Sequence, residues 1–264
     1  MHQLLTGTTH SEVDELLEES FLQSPTEGSI NVYLIEDGER RILVDTGAGQ
    51  FFGPGLGGKL LNGLEAIAIA PSDITDILIT HIHTDHTGGL VIGDNPAFPN
   101  ATVHVAEADV DFFLNPQNSE KTGYALQYFE EAEKTIGVYE KTGQIDQFEG
   151  TENVLPGIVA TVHPGHTPGS AFFTVSSGEE SIIFIGDLVH VPAIQFPSPK
   201  TTIVYDVAPD QAAATRIEAF SDLADERQLV AAPHHPFPGV GHVSEDGEAS
   251  FRWHPVEYRD REAE

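Results

Sequence analysis

Between Thr80 and Gly89 the chain reads THIHTDHTGG, which places three histidines and an aspartate within six residues. Neutral imidazoles and carboxylates are the usual nitrogen and oxygen ligands of zinc and its neighbours. His81 and His83 follow the apolar run DILIT, Asp76 to Thr80. Just past a strand end, alternate residues point the same way. Asp85 and His86 are expected to begin a helix there, where the chain turns and can aim at a second position. One short loop would then supply two metal ions. Gly88 and Gly89 allow backbone to approach closely. A solvated polar loop is the competing reading, but it gives no reason for four ligand-type side chains at one-sided spacing.

Three later stretches add to the set. VHPGHTPGS holds His163 and His166 between turn residues, IFIGDLVH puts Asp187 at the end of an apolar strand, and AAPHHPFPG puts His234 and His235 at another strand end. Each is weak alone, because a lone histidine is more often structural. Together with the first motif they form a constellation.

The order His-x-His-x-Asp-His, then GHTPGS, then GD, then a late histidine resembles the metallo-β-lactamase superfamily, from LVDTG (43–47) onward. Three longer stretches, GQFFGPGLGGKLLNGL, GDLVHVPAIQFPSPKTTIVYD and PFPGVGHV, are similar to its methyl parathion hydrolase-like branch, which is itself similar to lactonases and arylesterases of the same fold. The resemblance implies an α+β fold, a four-layer αβ/βα sandwich with the metals at one rim. It implies His81, His83 and His166 on one ion, Asp85, His86 and a late histidine on the other, and Asp187 bridging. Spacing to Gly239 resembles the branch for His234 and not for His235. The ions would be two divalent metals, zinc first, with manganese, cobalt or iron as alternatives.

Other residues carry two readings each. Asp45 in LVDTG could hydrogen-bond a ligand histidine from behind or be a turn aspartate. His190 stands three residues after Asp187, where lactonase relatives carry a tyrosine; it could contact substrate or leaving group, or be a rim histidine. With Asp85 and Asp187 it completes the expected catalytic set. Phe51, Phe52 and Phe196 resemble pocket phenylalanines of the branch, and a core role competes for each. His104 and His242 read as structural.

The elements that must position these groups are legible in pattern. INVYLIED (30–37) and RRILVDTG (40–47) predict a hairpin around an Asp-Gly turn. GPGLGGKLLNGLEAIAI turns helical after its glycines, and APSDITDILIT reads as a turn, a short helical start and a strand. TVHVAEADVDFFL predicts strand then helix, and TGYALQYFEEAEKTIGVY a helix. GIVATVHP, SAFFTVSS and SIIFIGD predict three strands, APDQAAATRIEAFSDLADE a helix, and QLVAAPHH a last buried strand. Each strand-rich half ends in helices, which predicts two sheets face to face with helices outside. No linker or repeat interrupts the chain, so residues 1–264 are expected to form one domain.

Composition narrows the chemistry. Of the 264 residues, 42 are acidic and 12 basic, a formal charge of −30 that repels phosphate backbones and excludes nucleic acid as an expected partner. High acid content with little lysine resembles proteins of saline habitats as much as ordinary acidic enzymes, and the mutual repulsion of the excess negative charge, which added ions screen, predicts stability that rises with salt. With no cysteine, thiolate nucleophiles and thiolate metal sites are excluded. No apolar run is long enough for a membrane helix. The N-terminus lacks a signal-peptide pattern, so a cytoplasmic location is expected.

The function these readings predict is a dinuclear metal-dependent hydrolase. A hydroxide bridging two ions would attack a carbonyl carbon or a phosphorus. The expected substrates are small, uncharged lactones, aryl esters or organophosphate triesters; a homodimer is left open. The alternatives are a β-lactamase, a mononuclear iron persulfide dioxygenase of the same fold, and a metal-binding protein without turnover. An RNA-processing nuclease or a glutathione thioester hydrolase would want a cationic surface that this chain lacks, and a flavodi-iron protein would carry glutamate where His83 stands.

Overall fold

The computed structural model describes residues 1–257. β1 (Tyr33–Glu36), β2 (Arg41–Val44), β3 (Asp76–Leu78), β4 (Thr102–Ala106) and β5 (Ile145–Phe148) form a five-stranded sheet. β1 and β2 are the expected antiparallel hairpin, and β2 through β5 run parallel. β6 (Thr151–Leu155), β7 (Ile158–Val162), β8 (Ala171–Ser177), β9 (Glu180–Phe184), β10 (Leu229–Ala231), β11 (Val240–Glu245) and β12 (Phe251–Pro255) form a seven-stranded sheet. Only β9 and β10 pair in parallel there. In both sheets the spatial order of strands is their order along the chain.

Among the described residues, eight α-helices accompany the sheets: α1 (His10–Glu19), α2 (Leu60–Ala66), α3 (Thr84–Thr87), α4 (Glu107–Phe113), α5 (Gln117–Thr122), α6 (Leu126–Thr142), α7 (Pro192–Gln195) and α8 (Pro209–Asp225). None is long and apolar enough to cross a membrane.

Side-chain alternation explains the layers. Along β2, Ile42 and Val44 turn inward to meet Ile158, Phe173, Phe184 and Ala231 of the other sheet. Leu43, between them, turns outward with Ile77 and Val103 against Val110 and Phe113 of α4 and Phe129, Ile136 and Tyr139 of α6. On the far side, Val230 and Val243 pack under Ala219, Phe220 and Leu223 of α8. Period two in the strands and a helical stripe in α6 and α8 thus give the expected helix–sheet–sheet–helix order.

The structure contains elements that the sequence expectation did not, β5, β6, β11, β12 and α1 among them. β10 is not the last strand, since β11 and β12 extend the same sheet to its edge. Along β11 only Gly241 and Val243 are buried among polar neighbours, so apolar content gave a weak signal. At the N-terminus, α1 is closed by a capping box between Thr9 and Glu12. It packs Val13 and Leu17 against Ile194 of α7.

Candidate metal centre

β3 ends at Leu78, and the chain delivers His81 and His83 just beyond it. His83 is the N-cap of the single-turn α3, which carries Asp85 and His86. This is the turn the motif predicted. The glycines after it admit backbone more than site atoms: a Cβ on Gly88 would lie 2.3 Å from the Ala48 carbonyl oxygen, and one on Gly89 2.1 Å from that of Thr46. The loop after β2 therefore lies flat on the motif. His166 comes from the β7–β8 connection, Asp187 from the turn after β9, and His234 from the segment after β10. Every prospective ligand leaves the same rim of the sandwich.

The side chains converge as two clusters. His81 Nε2 lies 3.1 Å and His166 Nε2 3.0 Å from His83 Nδ1. Asp187 Oδ2 stands 3.3 Å from His166 Nε2 and 3.6 Å from His81 Nε2. On the other side, Asp187 Oδ1 is 3.1 Å from both His86 Nε2 and His234 Nε2. Asp85 Oδ2 closes the second cluster at 3.7 Å from His86 and 3.5 Å from His234. His81, His83, His166 and Asp187 form one group whose ligand atoms lie within 4.8 Å of one another, and Asp85, His86, Asp187 and His234 form a second.

The outward-facing nitrogens settle the tautomers. His86 Nδ1–H donates to Asp45 Oδ2 at 2.8 Å, and His166 Nδ1–H to Asp206 Oδ1 at 2.8 Å. His234 Nδ1–H donates to the Ser29 carbonyl at 2.8 Å, and His81 Nδ1–H to Thr80 Oγ1 at 3.2 Å. His83 is turned the other way, its Nε2–H donating to Tyr124 Oη at 2.7 Å. Five inward nitrogens are thereby left as lone pairs pointing at one another and at a carboxylate. Among them His86 Nε2, like Asp187 Oδ1, has no hydrogen-bond partner although buried. Lone pairs packed this tightly need a cation between them, so the donor set fits two metal ions.

Charge agrees with that reading. Burial opposes ionisation of Asp187, but His234, His86, His81 and His190 hold it well below the usual carboxylate range. Burial and the charge of neighbouring imidazoles keep His81 and His83 well below the ordinary histidine value. Burial opposes charge on His86, His166 and His234 too, yet the surrounding carboxylates win, lifting His166 to about 9 and the other two upward. Those three rings are therefore where protons compete hardest with a metal.

Asp45 does more than back His86. Held at a left-handed φ of 58°, it also accepts from the backbone N–H of Thr80 at 2.9 Å and from the Thr80 hydroxyl. Residues that sequence reasoning passed over share this supporting work. Asp206 backs His166, and Tyr124 backs His83 while donating to the Tyr205 carbonyl at 2.8 Å. Asp109 is fully buried and ties both motif loops together, accepting from Ile82 N at 2.8 Å, Gly169 N at 2.6 Å and Thr167 Oγ1 at 2.9 Å. Burial raises its carboxyl to about 6. Their only sequence signal was a lone Asp or Tyr with nothing to mark its partner.

The remaining candidates separate. His190 lies over the centre, its Nε2 3.0 Å from Asp187 Oδ2 and its ring stacked on His234 at 5.3 Å. His235 is buried away from the ligand atoms, against Trp253 at 4.5 Å and Phe196 at 5.6 Å between ring centroids. His163 stacks on Phe172 and joins neither cluster. His104 bonds Asp76, and His242 the Gln228 carbonyl. The three phenylalanines do not gather into one pocket. Phe196 is a core residue stacked on Phe220 and Trp253, Phe51 packs on the core beneath α4 and α6, and Phe52 is exposed. Phe196 sits one residue after α7, whose Ile194 and Gln195 are buried, so its ring joins the core. Four aromatic rings border the centre: Tyr128, Phe113 and Tyr124, 5.3, 5.7 and 6.1 Å from His83, and Tyr205, 6.5 Å from His190.

Known proteins resemble this chain to differing degrees. Residues 25–235 match the family model for the metallo-beta-lactamase superfamily. An N-acyl homoserine lactonase of Bacillus sp is 32% identical over 155 residues, which is 52% of this chain and 54% of the relative. One from Bacillus cereus is 27% identical over 171 residues, 58% of this chain and 60% of the relative. The matched region thus spans little more than half the length of these curated relatives. Among solved structures, the hydrolase AbOPH of the beta lactamase superfamily superposes with a TM-score of 0.92 at 33% identity, covering 97% of this chain and 90% of that one. AidC, a dizinc quorum-quenching lactonase in complex with a product, gives a TM-score of 0.84 at 27% identity, covering 95% and 87%.

Proposed function

Because the chain belongs to the metallo-β-lactamase superfamily, we propose that it is a metal-dependent hydrolase of lactones, with aryl esters and organophosphate triesters as further substrates. The observation that carries this reading is Asp187, which turns one oxygen to each histidine cluster. His81, His83 and His166 would hold one ion and Asp85, His86 and His234 the other, with Asp187 common to both groups. When bound, the two divalent ions supply Lewis acidity and an activated water near neutral pH. Zinc suits the histidine-rich set, which manganese, cobalt or iron could also occupy.

The chain's own groups do the rest. Asp45, Thr80, Asp206, Tyr124 and Ser29 hold each imidazole in the tautomer that aims its lone pair inward. Asp85 and Asp187 place negative charge where the ions must stay. His190, between the clusters and Tyr205, contacts the substrate or its leaving group. Tyr128 and Tyr205 offer apolar ring faces for an uncharged substrate. The lactonase relatives favour a lactone among the candidate esters. Residues 1–264 act as one domain in this reading, since both sheets contribute ligands.

The test is a panel assay on metal-defined protein with an N-acyl homoserine lactone, an aryl acetate, a phosphotriester and a β-lactam. The expected result is about two ions per chain and turnover of the lactone. No metal, full activity after thorough chelation, or fastest turnover of the β-lactam would overturn it.

A further inference from the structure

Between Asp187 and Asp206 the chain makes a long excursion that carries His190 near one end and Tyr205 at the other. Two buried polar side chains close it. Gln195 of α7 accepts with Oε1 from His190 N at 2.7 Å and Val191 N at 3.0 Å, and its Nε2–H donates to the Thr201 carbonyl at 3.1 Å. Arg216 of α8 reaches the same carbonyl with Nη1 at 2.8 Å, and also donates to Pro199 O at 2.9 Å and, through Nε, to Leu188 O at 2.6 Å. Both side chains are buried, Gln195 wholly. Burial lowers the Arg216 guanidinium to about 10, so it is still charged at neutral pH. Backbone carbonyls are its only hydrogen-bond acceptors among the described residues.

A buried charge held by carbonyls alone is costly, and a buried glutamine that spends three hydrogen bonds on one loop fixes that loop tightly. The fixed point is the backbone of His190. Its ring is 9% exposed, and neither ring nitrogen makes a hydrogen bond of good geometry, the 3.0 Å approach to Asp187 included. The ring is set by stacking on His234 and by tilted contacts with His166 at 4.8 Å and Tyr205 at 6.5 Å. Nothing polar on the side chain orients it, so its backbone anchor does.

We propose that Gln195, braced by Arg216 through the Thr201 carbonyl, is a positioning residue that aims His190 at the substrate. The inference rests on the reading of His190 as a substrate contact. The competing account is that Gln195 only satisfies backbone groups in a buried turn, and a double-mutant cycle separates the two. His190→Ala, Gln195→Met and the double variant are prepared with metal, and kcat and KM are measured with the fastest substrate of the panel above. Metal content and melting temperature are read alongside.

Gln195→Met should keep about two ions per chain and lower kcat by about 10-fold with little change in KM. In the His190→Ala background the same change should cost less than about twofold, because its target is gone. Gln195→Glu keeps an acceptor for the two amides but loses the donor to the Thr201 carbonyl, so its kcat should fall between those of Gln195→Met and the unaltered protein. Equal losses in both backgrounds, or loss of metal with Gln195→Met, would overturn the proposal. An unimpaired His190→Ala would instead remove the reading of His190 and this inference with it. If Gln195→Met does not fold, Arg216→Lys loosens the same brace from α8 and is judged by the same cycle.

Discussion

The two histidine clusters share one carboxylate and differ in almost everything else. His81, His83 and His166 are three buried imidazoles. Asp85, His86 and His234 replace one imidazole with a carboxylate and open outward, with side-chain exposures of 21% for Asp85 and 10% for His234. The first cluster has no charge of its own beyond Asp187, and its ion would be enclosed by protein. The second carries its own negative charge and meets solvent. The contrast teaches that one motif loop builds an enclosed site and an accessible one, because His81 and His83 lie in the bent segment ahead of α3 while Asp85 and His86 sit on its turn.

Removing what the clusters share should have the largest effect. Asp187→Asn takes away the charge that holds both sites, and activity should fall by on the order of 100-fold to 1,000-fold. Elemental analysis should show metal lost from both clusters; loss from one alone would mean that Asp187 serves a single ion. Next, His234→Ala should remove about one ion and most activity, while a His83→Ala protein should lose its ion from the enclosed cluster. Cobalt-substituted protein can tell the two apart by its absorption spectrum. His235→Ala is the control: it should keep both ions and lose about 1–3 kcal/mol of stability, because its ring packs against Phe196 and Trp253. Metal loss in His235→Ala and not in His234→Ala would move the ligand by one residue.

A smaller effect should come from behind the ligands. Asp206→Asn loosens His166 and Asp45→Asn loosens His86, so each should weaken metal binding at its own cluster by about 10-fold to 100-fold. Equal weakening of both sites by either variant would erase the contrast between them. The smallest signal is in protons. His86, His166 and His234 have raised values without metal, whereas His81 and His83 are lowered. A metal must displace protons from the raised rings, so affinity should fall as pH drops and protons should be released on binding at neutral pH. The accessible cluster has two such rings, His86 and His234, and the enclosed cluster one, His166. Calorimetry in buffers of different ionisation enthalpy should therefore find more protons released by the accessible site, and equal release would count against that difference.

What the sequence made legible follows the same division. His81, His83, Asp85 and His86 lie in one local motif whose chemistry and turn can be read together. His166, Asp187 and His234 stand at ends of apolar strands, which suggested them, and the resemblance paired them. Asp206, Tyr124, Ser29, Asp109 and Gln195 are ordinary residues whose partners lie far away in the chain, and only the packed sheets bring them near. Phe196 shows the reverse error. Resemblance to pocket phenylalanines of the branch suggested a pocket role beside the competing core role, and the turn of α7 sends its ring into the core. The layers were legible because β2, β3, β4 and β8 are strongly apolar. The edge strand β12 and its neighbour β11 were not, since their exposed faces are polar.

The strand order of each sheet has a consequence for the timing of synthesis. A ribosome delivers the five-stranded sheet before any strand of its partner, and with it His81, His83, Asp85 and His86. Adjacent strands can pair as they emerge, because every neighbour is also the next strand made. Yet at that moment neither cluster is closed. The enclosed one waits for His166 and Asp187, and the accessible one for Asp187 and then His234. A nascent chain would therefore pass through a stage that displays four metal-seeking side chains and completes no site. Firm capture of both ions would come only after the second sheet has been threaded, which makes loading a late event and a signal that synthesis has passed residue 234.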